Sequence, residues 1–342
     1  MSHRGIRTSR RGARPGVLAI VALALLAVAG AVQADPLASW KAGATKSRIV
    51  NFVEQAADPA SKGYIPAADR VAVFDNDGTL WSEQPMYFQL AFMIDRVREL
   101  APSHPEWKTT QPFKAALEGD LKALAAGGEH ALLELLMATH TGMSTEEFEA
   151  IVRDWLAKAR HPKTGQPYTE MVYQPQLELL EHLRRSGFKV YIVSGGGIEF
   201  LRVFSEEVYG VPRENVVGSS VETRYEVVNG KPVLMRLPKI AFIDDKAGKP
   251  VGINQHIGRR PVLAFGNSDG DFEMLEWTTA GSGPRLGLIV HHDDGVREYA
   301  YDRKSAMGSL DKGLDEAEKR GWVLVSMKDD WSRVYPEPES RR

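Results

Sequence analysis

Residues 71–80 read Val-Ala-Val-Phe-Asp-Asn-Asp-Gly-Thr-Leu, an apolar, β-branched run that stops at two carboxylates one residue apart and a glycine. Strands that are apolar on both faces belong to buried parallel sheets, so residues 71–74 predict a central strand of an α/β fold. Asp75 and Asp77 then stand at its carboxyl end, where open α/β sheets place their ligands. Two carboxylates at i and i+2 suit one small hard cation, and Mg2+ is the usual partner of carboxylate and phosphate oxygens. Held in this way, Asp75 has the chemistry of a nucleophile toward phosphorus. Asp77 can give a proton to a leaving alkoxide and later take one from water. Asp, Asn, Gly and Thr also favour turns, and an Asx-rich turn accounts for the segment without any chemistry.

A chain of 342 residues, 43% hydrophobic, can bury a full core and has room for about two domains. Its net charge of −2 gives no reason to expect nucleic acid or an anionic membrane as partner. Basic residues cluster only at the extreme N-terminus, where Arg4, Arg7, Arg10, Arg11 and Arg14 precede an apolar stretch over 17–32 and the sequence Val32-Gln33-Ala34. This pattern predicts a secretory signal peptide over residues 1–34, cut after Ala34, with a periplasmic or secreted product and no stable membrane association after cleavage. Sixteen apolar residues are short for a spanning helix, although an uncleaved anchor is the alternative. The Arg10-Arg11 pair hints at twin-arginine export, but Gly12-Ala13-Arg14 lacks the apolar residues expected after it. There is no cysteine, which excludes disulfides, thiolate nucleophiles and zinc-thiolate sites.

Residues 35–63 read as a helical lead-in, with Ile49, Phe52 and Val53 at helical spacing and Asp58-Pro59 ending the run. The segment 84–171 holds almost no β pattern. Amphipathic helices are expected there over 86–100, 113–126, 129–139 and 145–159, the last with a Ser144/Glu147 capping box. α/β alternation then resumes, with helices over 174–186 and 198–209, strands over 189–193 and 216–217, and a hairpin over 221–237 turning at Asn229-Gly230. Strands over 261–265, 286–290 and 322–327 complete the pattern. The expected architecture is a doubly wound parallel sheet formed by residues 64–83 and 172–342, with an inserted α-helical cap over 84–171.

Three further segments carry chemistry beside a plainer reading. Ser194-Gly195-Gly196-Gly197 follows a strand and precedes a helix, so a hydroxyl and bare amides there can cradle phosphate oxygens, or the glycines simply punctuate a loop. Gly266-Asn267-Ser268-Asp269-Gly270-Asp271 offers oxygen ligands for a cation, or an Asx turn that caps the next helix. Among Lys239, Lys246 and Lys249, the last follows a glycine and precedes a proline, and it is the candidate to neutralise a transferring phosphoryl group. Most lysines are merely solvated.

In this order, Asp75-Asn-Asp77-Gly-Thr79, Ser194-Gly-Gly, Lys249 and Gly-Asn267-Ser-Asp-Gly-Asp271 resemble the four motifs of the haloacid dehalogenase-like superfamily, over about residues 64–330. The helical insert between the first two motifs resembles the type-1 cap of phosphoserine phosphatases and their relatives. The resemblance implies a Rossmannoid core and an Mg2+-dependent phosphomonoesterase acting on small organic phosphate esters through an aspartyl-phosphate. It implies Asp75 as nucleophile, Asp77 as general acid and base, and Ser194, Gly195, Gly196 and Lys249 around the phosphoryl group. The metal would be held by Asp75, Asp77, Asn267 and Asp271. Asn267 departs from the usual pattern, since it falls on a metal-binding aspartate, which leaves Asn267, Asp269 or Asp271 to complete the shell. Phosphotransfer to an alcohol, a receiver-like phosphoacceptor domain and a noncatalytic phospho-ligand-binding protein are the rival classes. The aromatics Trp81, Tyr87, Phe88, Phe92, Trp107 and Trp155 allow a cage for a choline-type cation, although amphipathic packing accounts for them more simply.

Overall fold

The computed structural model describes Met1 and residues 35–337. The arginine-rich and apolar segment, with the expected cleavage point after Ala34, lies outside the described residues. Eight strands form one sheet: β1 (Val71–Phe74), β2 (Lys189–Gly197), β3 (Val216–Val228), β4 (Lys231–Phe242), β5 (Leu263–Gly266), β6 (Leu286–Asp293), β7 (Ala300–Tyr301) and β8 (Val323–Ser326). Their order is β4-β3-β2-β1-β5-β6-β7, and β8 also pairs with β6. Neighbours among β3, β2, β1, β5, β6 and β8 run parallel, while β4 and β7 are antiparallel additions at the two sides. The chain winds from β1 outward through β2 and β3, then crosses to β5 on the other side of β1. β1 therefore lies where the winding reverses, and its carboxyl end is the position at which open α/β sheets place their ligands.

Every residue of β1 and β5 is buried. Alternate side chains serve opposite faces: Ala72 and Phe74 join one hydrophobic cluster, Val71 and Val73 the other. The first cluster takes Leu179, Leu180 and Leu183 from the helix Gln174–Arg185; the second takes Phe272, Met274 and Leu275 from the helix Phe272–Thr279. The lead-in forms the helix Ala44–Ala57, burying Ile49, Val53 and Ala56 and ending at Asp58. Trp331, beyond β8, packs edge-on against Trp40 at 5.9 Å between ring centroids, so the C-terminal strand and the lead-in share one packing unit.

Between β1 and β2 the residues are helical: Phe88–Leu100, Phe113–Glu118, Leu121–Ala126, Gly128–His140 and Thr145–Lys158. The first four enclose a small core of their own, with Leu90, Met93, Ile94, Val97, Trp107, Leu124 and Leu135. The helix Thr145–Lys158, started by the Ser144/Glu147 capping box, packs Phe148, Val152 and Leu156 into the main core instead.

Several expected elements are divided or extended. The helix expected over 113–126 breaks at Gly119, whose φ of 71° ends one helix, and Asp120, whose carboxylate accepts from the Ala123 amide and starts the next. The helix expected over 198–209 breaks at Phe204, whose ring stacks on Trp81 at 4.6 Å. β3 and β4 outrun the expected hairpin at both ends. Asn229 and Gly230 both take positive φ, 51° and 75°, as a tight hairpin turn needs. Strand β2 continues through the glycines to Gly197, with a register shift against β3 between Ser194 and Gly197. Among the described residues no helix is long and apolar enough to cross a membrane.

Candidate active site

Asp75 extends the ladder by one residue, its amide donating to the Phe265 carbonyl of β5 at 2.9 Å. The chain then turns back on itself, with the amides of Thr79 and Leu80 donating to the Asn76 carbonyl at 3.2 and 2.8 Å. Gly78 at φ 73° makes this possible, and no larger residue fits: a Cβ there would sit 2.0 Å from Asn267 Nδ2 and 2.5 Å from Glu83 Oε1.

Lys249 lies near the start of the helix Gly248–His256 and is 2% exposed. Its Nζ donates to Asp75 Oδ1 and Asp271 Oδ1, both at 2.6 Å, and to the Val193 carbonyl at 3.0 Å. An ammonium has three N–H groups, so all are spent on protein acceptors. Burial works against the lysine charge, but Asp271 and Asp75 outweigh it and raise its pKa. Burial also lifts the Asp75 carboxyl well above the ordinary carboxylate range; the Asp271 charge adds to this and Lys249 opposes it. Asp75 Oδ2 receives no hydrogen bond among the described residues.

Asp77 faces the glycine run. A Cβ on Gly196 would lie 3.8 Å from Asp77 Oδ2 and 3.3 Å from Ser194 Oγ, so first and second motifs meet there. Trp81 Nε1 donates to Asp77 Oδ1 at 2.7 Å. Burial pushes Asp77 up to about 6 against that bond. Ser194 is buried. Of the amides beyond it, two are committed within the protein: Gly196 N donates to Ser194 Oγ at 3.1 Å and Gly197 N to Gln89 Oε1 at 2.8 Å. Gln89, on the insert's first helix, thus ties the insert to the strand end, and its Nε2 meets His140 Nε2 at 3.0 Å.

The last motif divides its polar residues among different tasks. Asp271 Oδ2 accepts from the amides of Asn267 and Ser268 at 2.9 and 3.1 Å, while Oδ1 takes Lys249. Both oxygens of Asp269 are committed elsewhere, to the amides of Asp311, Lys312 and Gly313 at 2.8–3.1 Å. Asn267 is buried between Thr79, whose hydroxyl donates to Oδ1 at 3.2 Å, and Glu83, which accepts from Nδ2 at 2.7 Å.

Sequence reasoning missed Glu83 and Asp244. Glu83 is 1% exposed and is raised well above the usual range by burial, with the Tyr301 hydrogen bond opposing. Asp244 is fully buried, with neither carboxylate oxygen hydrogen-bonded among the described residues, and burial pushes it up to about 7 against the Lys249 charge. Neither carries a motif signature. Glu83 was legible only as an acid eight residues past Asp75.

Asp75, Asp77, Glu83 and Asp271 thus share one region with Lys249 as the lysine among them. Such an excess of carboxyl oxygens fits a hard divalent cation with oxygen ligands. Among the described residues no three acidic or imidazole side chains converge as a ready-made cage, so backbone, amide, water and ligand oxygens would supply much of the shell. The aromatics of the insert and Trp81 beside it pack against one another: Trp81 lies 4.6 Å from Phe88 between centroids, Trp107 stacks on Phe113 at 4.4 Å and Trp155 on Tyr168 at 5.0 Å.

Among solved structures, the chain is similar to a conserved protein of unknown function from Anaerococcus prevotii, at 18% identity and TM-score 0.48, over 82% of this chain and 91% of that one. A Bordetella pertussis protein of unknown function is similar at 17% identity and TM-score 0.47, over 75% and 97%. A phosphoserine phosphohydrolase-like protein from Francisella tularensis is similar at 14% identity and TM-score 0.39, over 73% and 98%. No curated protein sequence matches the chain. The family description of the haloacid dehalogenase-like hydrolases matches residues 72–276, more than half of the 342 residues and a span from β1 past the last motif, so the chain belongs to that family.

Proposed function

We propose that the protein is an exported, Mg2+-dependent phosphomonoesterase that hydrolyses small organic phosphate esters. One observation carries the reading: Asp75 is buried at the switch point with one oxygen on Lys249 and the other uncommitted, while Asp77 stands across from Ser194 and Gly196. In the proposed reaction Asp75 Oδ2 attacks phosphorus as the bond from phosphorus to the ester oxygen breaks. The leaving alkoxide takes the proton of Asp77, and an aspartyl-phosphate remains. Asp77 then accepts a proton from water as that water attacks phosphorus. The bond to Asp75 breaks and inorganic phosphate leaves. A carboxyl near 6 is matched to both halves of this exchange.

Lys249 pairs with both Asp75 and Asp271 and offsets one of their two charges, which lowers the cost of bringing a phosphate dianion to a carboxylate nucleophile. Asp75, the Asp77 backbone and Asn267 are the groups that would hold Mg2+, which when bound supplies charge to the phosphoryl oxygens. Export rests on the N-terminal arginines and apolar run. The N-terminus of the protein recovered outside the cytoplasm is expected at Asp35. An intact N-terminus in a cytoplasmic fraction overturns export.

The deciding experiment measures phosphate release from a panel of phosphomonoesters, with Mg2+ and with EDTA, beside Asp75→Asn. Release that needs Mg2+ and vanishes in the variant is expected. Silence across the panel with a folded, Mg2+-binding protein overturns the hydrolase reading in favour of phosphotransfer or binding.

A further inference from the structure

The residue where the last motif departs from its family pattern has a partner that no motif contains. Asn267 offers a neutral amide where a carboxylate is usual. Its Nδ2 lies 2.7 Å from Glu83 Oε1, which also accepts from Tyr301 at 2.8 Å. The orientation of the amide follows from these neighbours: Glu83 accepts from the nitrogen, so Oδ1 is turned to the Thr79 hydroxyl and the first motif. Glu83 is 1% exposed, and no lysine, arginine or histidine pairs with it among the described residues. A buried carboxyl with no paired cation is costly to ionise, so its charged form is favoured only when a positive charge arrives from outside. Space around it is tight on two sides: added Cβ atoms at Gly78 and Gly308 would meet Glu83 Oε1 at 2.5 and 1.8 Å.

We infer that Glu83 and Asn267 act together as one divided aspartate of the cation site. Asn267 presents the ligand oxygen; Glu83, bonded to the amide nitrogen, fixes its direction and supplies the negative charge that the amide lacks. Glu83 is in this role a positioning residue. The inference rests on the divalent cation proposed above, and it reverses a simple expectation about Asn267. Restoring the usual aspartate alone does not improve the site, because it sets two carboxylates 2.7 Å apart.

The test is calorimetric titration of the whole protein with Mg2+ alone, together with thermal melts in EDTA. Glu83→Gln keeps the acceptor for Asn267 and removes the charge, and is expected to weaken Mg2+ binding by about 10- to 100-fold. Asn267→Asp is expected to lower the melting temperature in EDTA through like-charge repulsion. In the double variant Glu83→Gln with Asn267→Asp the donor and the charge change places. Affinity within about threefold of the original and a recovered melting temperature are expected, a non-additivity that only contacting residues show. If either single variant fails to fold, the double variant still decides. Unchanged affinity in Glu83→Gln, or additive losses in the double variant, overturns the pairing while leaving the cation intact. No Mg2+ binding by the unaltered protein overturns both the pairing and the cation.

Discussion

Two sides of the same site treat their carboxylates in opposite ways. On one side Asp75 and Asp271 are bridged by Lys249 at 2.6 Å, and backbone amides satisfy the remaining oxygen of Asp271. On the other, Glu83 meets only neutral donors, an amide and a phenol. The first side carries an internal cation that offsets one of its two acids. The second holds its acid neutral through burial and favours the charged form only beside something cationic. Buried charge is tolerated when paired and costly when not, so the contrast separates the permanent scaffold of the site from the part that answers to a ligand.

The largest effect should come from the paired side. Asp75→Asn is nearly isosteric and is expected to fold while losing phosphatase activity by about 10³-fold or more. Circular dichroism and phosphate release check this, and retention of a tenth of the activity sinks Asp75 as nucleophile. Lys249→Met removes the shared cation and strands two buried acids. A loss of about 3–5 kcal/mol in chemical denaturation is expected. A stability loss from Glu83→Gln that matched it would erase the contrast between the two sides.

Gly78→Ala drives a methyl into Asn267 and Glu83 and forces a positive φ on alanine. Backbone strain alone is of order 1–3 kcal/mol, and weaker Mg2+ binding should accompany it. Asp269→Ala should cost about 1 kcal/mol, the size of a lost helix cap, and leave Mg2+ affinity unchanged, because its oxygens serve the amides of 311–313. A change in affinity would move Asp269 into the cation site.

The one effect that depends on pH concerns Asp244, which is buried with neither carboxylate oxygen hydrogen-bonded among the described residues. Its carboxyl is raised to about 7, so the folded protein keeps a proton that the unfolded chain loses near its ordinary value of 3.8. This contribution to stability is fully present below about 4 and is lost as pH rises through about 7. Asp244→Asn removes the loss, and its melting temperature should exceed that of the unaltered protein by a few degrees at pH 8 and by less at pH 5. Equal shifts at both pH values would show that Asp244 is already ionised at the lower one.

Legibility in the sequence followed the range of the interaction. The ends of β1 and β5 were readable because an apolar run and the acids after it are contiguous. The Asn229-Gly230 turn and the Ser144/Glu147 capping box are likewise complete within four residues. Gly119 and Asp120 carried the ordinary signals of a helix end and a helix start, and the break there was available to be read. The break at Phe204 was not, since no glycine or proline marks it and the ring is held by Trp81, more than a hundred residues away. The choice of Lys249 drew on a neighbouring glycine and proline, but its three acceptors come from three separate segments.

By itself the sequence determined the α/β alternation, the helical insert and the order in which the acids, the serine and the lysine appear, since these depend on patterns within a few turns or strands. Only the tertiary structure decided which carboxyls are paired with a cation and which are not. Charge pairing acts over a few ångströms in space, and Glu83, Asn267 and Tyr301, brought together there, are separated by 184 and 218 residues along the chain from Glu83.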